Sequence, residues 1–462
     1  MLHTHLWPTT ATINEQGHLE VGGCDAVALA REYGTPLYLL DEATFRSACR
    51  AYREALARHH GGPAAAHYAG KALLTTAVAR IAAEEGMGLD VVSGGELYVA
   101  LRAGFPAGRI HVHGNAKPRA ELEQALEAGV GQIVADNLDE LALLAELTAG
   151  RTRPQPLALR LAPDIAPETH IHITTGHAAS KFGLPLEALD AAAALVRGAP
   201  GLALRGLHAH LGSQVFDYTP MVRALGVLLD CAARLRERHG IAIDEISPGG
   251  GLGAPYTPEQ PLPDVDAYVA ALARALAEGC AARGLPLPKL TIEPGRSVAA
   301  RAGVALYTVV ATKPLAPKAE RRTLNAEEAG LNNLATEPTG VQPAACSRYL
   351  HVDGGMGDNV RPALYGARYT ALLAGRAGAP PEELVHVAGR YCESGDVLLR
   401  DVPLPRAAPG DVLAVAGAGA YTLSMASTYN LVPRPALLLV AVGRAQLAQR
   451  RERYEDLVLR DA

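Results

Sequence analysis

The chain has 462 residues, of which 49% are hydrophobic and 20% are charged, and its formal net charge is −5. This composition is typical of a globular protein long enough for two domains, and it gives no reason to expect nucleic acid or an anionic membrane as a partner. No apolar run approaches the roughly 18 residues of a membrane span. The N-terminus MLHTHLWPTT lacks the basic and apolar regions of a secretory signal. We therefore expect a cytoplasmic protein.

The six cysteines lie far apart and form no CxxC pair. Zinc sites and disulfide frameworks both depend on patterned cysteine spacing. We therefore expect no metal site and no disulfide, with most of the cysteines acting as small buried hydrophobic residues.

The first predicted elements are short. Residues 26–33 have helical spacing, and PLYLL (36–40) is typical of a strand. Asp41 follows, where it can cap the N-terminus of the next helix.

From residue 64 onward, short strand candidates alternate with helical segments rich in Ala and Leu. The predicted strands are 64–69, 88–92, 110–114, 132–135, 157–161, 204–210, 243–247 and 289–292. The helical segments between them include 95–103, 120–128, 138–147, 185–196, 221–239 and 264–282.

Eight strands alternating with helices over about 250 residues is the pattern of a (β/α)8 TIM barrel. A doubly wound open sheet shows the same alternation, because alternation alone does not establish closure. We prefer the barrel, on strand count and on where the polar residues fall.

After about residue 297 the helical periodicity fades, and strand-like runs punctuated by Gly and Pro take over. We expect a barrel domain over 41–296 and a mainly antiparallel β-sandwich or barrel-like domain. The second domain is formed by 297–462 and takes up the N-terminal segment 1–40. The polar stretch 313–348 interrupts it and is predicted to be a flexible surface insertion.

Lys71 stands just past the first predicted barrel strand, in HYAGKALLT (67–75). A lone lysine at a strand end more often points into solvent. A lysine withdrawn from water would instead have a lowered pKa, and its amine could form a Schiff base. Which interpretation holds depends on the residues at the other strand ends.

In a barrel, the C-terminal ends of the strands converge on one face that carries the chemistry. Every predicted strand here ends in a polar group or a glycine loop. In chain order these are Lys71, Asp90 with Ser93, His113 with Asn115, Asp136, Arg160, His208 with His210, GGGLG (249–253) and EPGRS (293–297).

The last two loops resemble an anion site. Glycines let backbone N–H groups approach a phosphate closely, and Arg296 adds a cation. A lysine amine, a phosphate cradle, histidines able to stack on a ring and the carboxylate of Glu293 together suit pyridoxal 5′-phosphate. Glu293 would face the pyridine nitrogen and keep it protonated.

A second constellation falls in the predicted β domain, in DGGMGDNVRPALYG (353–366), CESGD (392–396) and GAGAY (417–421). The Cys392 thiol could protonate a carbanion if it faces the barrel. Arg361, Tyr365 and Glu393 could bind a zwitterionic end of a substrate. Taken singly, a buried cysteine and solvated charges explain the same residues.

Together these motifs resemble the fold-type III pyridoxal-phosphate decarboxylases. The similarity runs from about residue 30 to 440 through HYAGKA, DVVSGGEL, HGNAK, ETHIHITTG with SKFG, HAHLGSQ, SPGGGLG, EPGRS, DGGMGDNVRPALYG, CESGD and GAGAY. The resemblance implies a barrel plus a β domain, and a homodimer whose active sites form at the subunit interface.

The resemblance also assigns roles residue by residue. Lys71 matches the Schiff-base lysine, His208 the histidine stacked on the cofactor ring, and Cys392 the proton donor contributed by the partner subunit. Asp90 is a further candidate for orienting the lysine. The cofactor-binding positions are Lys71, His208, Ser213, Gly250, Gly251, Glu293, Gly295, Arg296 and Tyr421, and the substrate-binding positions are Arg296, Arg361, Tyr365, Glu393 and Tyr421.

Members of this family that act on basic amino acids carry Asp after the catalytic cysteine, whereas Glu393 stands here. With Arg361, this favours a substrate whose far end is itself an amino acid. The resemblance therefore implies decarboxylation of meso-2,6-diaminopimelate at its D-centre to L-lysine and carbon dioxide. The alternatives are decarboxylation of ornithine, arginine or carboxynorspermidine, a racemase, and a non-catalytic regulatory paralogue.

Overall fold

The computed structural model describes residues 2–165, 181–315 and 348–462. They form two compact units, one built from the described residues within 1–39, 304–416 and 425–462 and the other from those within 40–303 and 417–424. The predicted insertion at 313–348 lies almost wholly outside the described residues, as does ETHIHITTG (168–176). Among the described helices, none has the length and hydropathy needed to cross a bilayer.

The second unit is a closed parallel barrel, which confirms the predicted fold class. Its strands pair in chain order, and β8 pairs with β1, with Leu290 opposite Ala64, so the sheet closes and is not an open doubly wound one. The strands are β1 (Ala64–Ala69), β2 (Gly88–Val91), β3 (Ile110–Val112), β4 (Gln132–Ala135), β5 (Gln155–Ala162), β6 (Leu202–His208), β7 (Glu245–Ser247) and β8 (Lys289–Ile292). The short strand Leu184–Pro185 pairs with β5.

Helices follow the strands, and side-chain caps mark where several of them begin. Asp41 caps its helix as predicted, with its carboxylate accepting the Thr44 N–H at 3.0 Å. Ser93 does the same for the helix after β2, so its role is structural. The α-helices are Glu42–His59, Thr76–Glu84, Gly94–Arg102, Arg119–Ala128, Leu138–Leu147, Leu189–Gly198, Thr219–His239, Val265–Ala282 and Arg296–Ala299, and the 3-10 helices are Gly70–Ala72, Ala107–Arg109, Leu186–Ala188 and Leu423–Met425.

The other unit is a mainly antiparallel sheet structure. Among its described strands, Arg348–Val352 and Glu383–Ala388 pair in parallel. Its further strands are Leu37–Asp41, Gly303–Pro314, Ala371–Leu373, Val397–Leu404, Val412–Ala416, Ala436–Ala441 and Arg444–Gln449, beside an N-terminal sheet of Thr12–Ile13, Leu19–Val21 and Cys24–Asp25. Its helices are Ala26–Tyr33, Arg361–Tyr365 and Tyr454–Leu457, and its 3-10 turns are Ala374–Arg376 and Tyr429–Leu431.

The N-terminal segment belongs to the core of this sheet unit. Leu6, Trp7 and Leu19 are almost fully buried in one cluster with Leu306 and Leu438. Burying large side chains of this kind contributes about 1.5–3 kcal/mol each. Residues up to Leu39 thus pack in the sheet unit.

The motif GAGAY (417–421) corrects the predicted domain assignment. The sequence analysis placed it in the β domain, but residues 417–424 pack as part of the barrel unit. The Tyr421 N–H donates to the Ala72 carbonyl at 2.8 Å, and a Cβ at Gly419 would lie 1.9 Å from the Ala299 oxygen. Small residues thus let this turn lie against the barrel backbone, although strand-like runs flank it in sequence.

Candidate active site

Lys71 lies in the 3-10 turn that follows β1, and its side chain is exposed in the single chain. The chain by itself therefore does not withdraw this amine from water. Its positive charge reaches the half-buried His210: burial, followed by the charge of Lys71, holds the pKa of His210 well below its usual range.

Glu293, directly after β8, is the centre of a buried hydrogen-bond network. Its Oε2 lies 3.0 Å from His208 Nε2, at the end of β6, and its Oε1 accepts the Ser247 hydroxyl, at the end of β7, at 2.6 Å. These side chains meet because the carboxyl ends of neighbouring parallel strands lie at the same edge of the barrel.

This network keeps Glu293 ionised. Burial alone raises the pKa of its carboxyl group, but the charges of His208 and His113 and the hydrogen bonds from His208 and Ser247 hold the pKa well below its usual range. Burial lowers the pKa of His208 against the attraction of Glu293. The lowered pKa of Glu293 leaves a carboxylate at neutral pH, which suits a group that faces a pyridinium nitrogen.

The two histidines of HAHLGSQ have different surroundings. His208 is only 2% exposed and is engaged with Glu293. His210 lies past the strand end, half-buried, and its Nδ1 accepts the Gly250 N–H at 3.3 Å. The sequence analysis assigned the ring-stacking role to His208, whereas the surroundings of His210 make it the better candidate for contact with the ring.

Arg296 connects three of the loops at this edge. It is buried, its Nε and Nη2 donate to Ser213 Oγ at 3.1 and 3.0 Å, and its Nη1 donates to the Tyr256 hydroxyl at 2.8 Å. Its guanidinium also lies 4.7 Å from the Tyr421 ring centroid. Arg296 thus brings together three predicted site residues. They are Ser213 in the loop after β6, Arg296 itself after β8, and Tyr421 in the 417–424 turn.

The glycine loop after β7 forms a cradle that no larger residue could form. A Cβ at Gly250 would lie 2.0 Å from the Glu293 carbonyl oxygen. Gly251 has a φ of +109°, and a Cβ there would lie 2.5 Å from the Gly212 oxygen. The loop therefore lies close to the backbone after β6 and β8, as a phosphate-binding loop requires.

Several buried polar atoms at the same end of the barrel have no hydrogen-bond partner among the described residues. They include His208 Nδ1, Asp90 Oδ2 and Asp136 Oδ1. Burying such atoms unpaired is costly, so their presence indicates a site built to receive a polar group. With the glycine cradle, Arg296 and Glu293, these residues fit pyridoxal 5′-phosphate.

The second predicted constellation lies in the sheet unit. Arg361 is buried at the start of its short helix and donates from Nη1 to the Tyr369 hydroxyl, while Tyr365, at the end of that helix, is half-buried. Cys392 and Glu393 are exposed. The sheet unit by itself therefore does not enclose the cysteine.

Asp396 and Asn430 hold the loop that carries Cys392. The buried carboxylate of Asp396 accepts the Met356 N–H at 2.7 Å and the Tyr391 N–H at 2.8 Å. The Cys392 N–H donates to Asn430 Oδ1 at 2.9 Å. CESGD is thus tied to DGGMGDN, so the two motifs are spatial neighbours.

Comparison with known proteins agrees with this geometry. Residues 42–300 match the family described as pyridoxal-dependent decarboxylase, pyridoxal binding domain. Over 454 residues the chain is 41% identical to the diaminopimelate decarboxylase of Bacillus subtilis (strain 168), covering 98% of this chain and 97% of that one. The chain belongs to the diaminopimelate decarboxylase family.

Solved structures of this family have the same fold. The diaminopimelate decarboxylase of M. jannaschii in complex with L-lysine superposes with a TM-score of 0.85 at 32% identity, covering 100% of this chain and 99% of that one. The Helicobacter pylori enzyme complexed with L-lysine gives 0.79 at 28% identity, over 93% and 98%. The chain is a pyridoxal-dependent carboxy-lyase whose cofactor is pyridoxal 5′-phosphate.

Sequence reasoning missed two residues of this decarboxylase site. Ser247 opens SPGGGLG directly after a predicted strand, and that position was a usable signal for a side chain at the strand end. Tyr256 lies beyond the loop, and nothing in its local sequence indicates the hydrogen bond from Arg296.

Proposed function

We propose that this protein decarboxylates meso-2,6-diaminopimelate at its D-centre, producing L-lysine and carbon dioxide. The observation that carries the proposal is the buried, ionised Glu293 beside a glycine cradle at the mouth of the barrel. The relatives support the choice of substrate, because they are diaminopimelate decarboxylases and two solved ones hold L-lysine.

The barrel residues divide the work of holding the cofactor. Lys71 would supply the amine that holds the aldehyde of the cofactor. The loops at Gly250, Gly251 and Gly295 receive the phosphate, and Arg296 positions Ser213 beside them. Bound pyridoxal phosphate supplies an electron sink for the electron pair left by carbon dioxide.

Two further barrel residues act on the ring. Glu293 favours a proton on the ring nitrogen, which strengthens that sink, and His208 and Ser247 keep the carboxylate in place. His210, in the loop after β6, would contact the ring, which modifies the role first assigned to His208.

The residues of the sheet unit select the substrate and complete the reaction. The Arg361 guanidinium pairs with the distal carboxylate and Glu393 with the distal ammonium. Cys392 delivers a proton to the α-carbon from its thiol, which is a general-acid role.

Carbon dioxide release from a panel of amino acids tests the proposal. We expect meso-diaminopimelate to exceed ornithine, arginine and carboxynorspermidine by at least about 100-fold in kcat/KM, because a site built around a distal zwitterion leaves its charges unpaired with other substrates. Preference for ornithine or arginine would contradict the assignment. Cofactor binding without carbon dioxide release from any substrate would favour a regulatory paralogue, and inversion at the D-centre would favour a racemase.

We further propose that the enzyme is a cytoplasmic homodimer in which Cys392 and Glu393 act in the partner subunit's site. Their exposure in the single chain supports this, since a proton donor has to be enclosed to act. Five described cysteines, Cys24, Cys49, Cys231, Cys280 and Cys392, are free thiols, in keeping with a reducing compartment.

Subunit complementation tests the shared site. Lys71→Ala and Cys392→Ala proteins, each inactive alone, should on mixing and reassociation recover about a quarter of wild-type activity, because half of the dimers are then mixed and each has one intact site. The measurement is carbon dioxide release after mild dissociation and dilution. Mixing either variant with itself is the control, and no recovery from mixed dimers would place Cys392 in the site of its own subunit.

A further inference from the structure

The barrel interior also contains the buried carboxylate of Asp90, beside a pair of histidines. His67 on β1, Asp90 on β2 and His111 on β3 lie on neighbouring strands and are only 3%, 4% and 5% exposed. Asp90 pairs in register with His111 and with Ala69, so these positions share one face of the sheet.

These side chains form a continuous line towards Glu293. The rings of His111 and His67 lie 3.9 Å apart between centroids, and His67 Nδ1 lies 3.0 Å from Asp90 Oδ1. The same oxygen lies 3.5 Å from His113 Nε2, and the His113 ring lies 5.1 Å from that of His208, the partner of Glu293.

The position of His67 is tightly defined by the neighbouring strand. A Cβ at Gly88 would lie 2.3 Å from His67 Nε2, so the imidazole occupies the space that a side chain on β2 would need. Because a carboxylate can only accept, His67 Nδ1 carries the hydrogen in its contact with Asp90.

Asp90 is held as an anion against two opposing effects. Burial and the charge of Glu293 both raise the pKa of Asp90, yet the charge of His113 and the hydrogen bonds from His113 and His67 bring it to about 2. The titratable groups that act on Asp90 or on its immediate neighbours are His67, His111, His113, Glu293, Glu96, Lys71 and Lys289.

We propose that His67 is a positioning residue of the decarboxylation site: its Nδ1–H fixes Asp90 as a second buried anion, so that two carboxylates rather than one favour a protonated ring nitrogen. The inference rests on the proposed function for the identity of that cation. The contact between His67 and Asp90 involves neither cofactor nor substrate, so it can be tested without the reaction.

The first test is a titration of the cofactor-free protein. Aspartate labelled with ¹³C at its carboxyl carbon, with the Asp90 signal assigned by Asp90→Asn, reports the pKa of Asp90 directly. We expect His67→Phe to raise that pKa by about 1–3 units, since a hydrogen-bond donor is lost in a buried site. His67→Leu removes the same donor with less bulk, should phenylalanine disturb the strand. An unshifted signal in both variants would overturn the proposal.

The second test separates positioning from packing. His67→Asn places an amide donor close to the position of Nδ1, so it should restore the low pKa of Asp90 and most of kcat. His67→Phe should lower kcat about tenfold with KM unchanged, because His67 does not touch substrate. His111→Phe, which removes the neighbouring ring without taking a donor from Asp90, is the matched control. Equal loss in the Asn and Phe variants would show a packing role only.

The outcome can be told apart from a failure of the proposed function. If no substrate in the panel is decarboxylated, the shift of Asp90 still reports on the contact with His67. His67, Asp90 and His111 also have ligand atoms within 4.8 Å of one another. Stoichiometric Zn²⁺ binding to the cofactor-free protein, lost in His67→Asn and His111→Phe alike, would replace the proton-donor role by a metal site.

Discussion

Lys71→Ala is expected to abolish the visible absorbance of the bound cofactor and to lower kcat at least about 1,000-fold, since the nucleophilic amine is lost. Lys71 is exposed after β1, so its replacement should leave the melting temperature of the cofactor-free protein within about a degree of wild type. Absorbance spectra and carbon dioxide release from meso-diaminopimelate measure the two effects.

A matched control separates loss of this amine from loss of a surface charge. Lys313 is an exposed lysine on a strand of the sheet unit, and Lys313→Ala should keep both the absorbance and the rate. Borohydride reduction of the loaded wild-type enzyme should attach the cofactor to Lys71. Full absorbance in Lys71→Ala would show that another amine holds the aldehyde.

Much of the barrel could be predicted from the sequence, because local patterns determine its strands and helices. The eight strand candidates all occur, and the six predicted helices lie within four residues of the observed bounds. Asp41 is recognisable as a cap for the same reason: the cap and the N–H that it accepts lie three residues apart.

Closure and long-range contacts could not be predicted in this way. The pairing of β8 with β1 joins strands at opposite ends of the barrel sequence, and residues 417–424 return to the barrel after more than a hundred residues that belong to the other unit. The residues that flank Tyr421 have strand-like patterns, so the sequence predicts that Tyr421 belongs to the β domain. Its contact with the Ala72 carbonyl becomes visible only in three dimensions.

The polar contacts inside the barrel could not be predicted from the sequence either. A histidine within a short strand, such as His67, has no local signature that separates a filler from a hydrogen-bond donor. The exchange of roles between His208 and His210 has the same origin. Both follow the strand pattern, and the contact of His208 with Glu293 and that of His210 with Gly250 distinguish them.

Glu293→Gln is expected to lower kcat about 100- to 1,000-fold while the cofactor remains bound, because a preorganised charge facing the ring nitrogen is replaced by a neutral amide. Lys71 and the glycine cradle are unchanged in this variant, so visible absorbance should persist. Ser247→Ala is the matched control: it removes one hydrogen bond but leaves the carboxylate, and it should cost about tenfold or less.

The same variant should alter stability at acid pH. The folded-state pKa of Glu293 is depressed below its ordinary value of 4.5, so its contribution to stability is present above that pH and is lost as the pH falls through the lower folded value. The melting temperature of the cofactor-free protein should therefore fall more steeply with decreasing pH, below about pH 4.5, in wild type than in Glu293→Gln. Parallel unfolding curves, or a wild-type kcat in the variant, would mean that Glu293 is not the anion facing the ring.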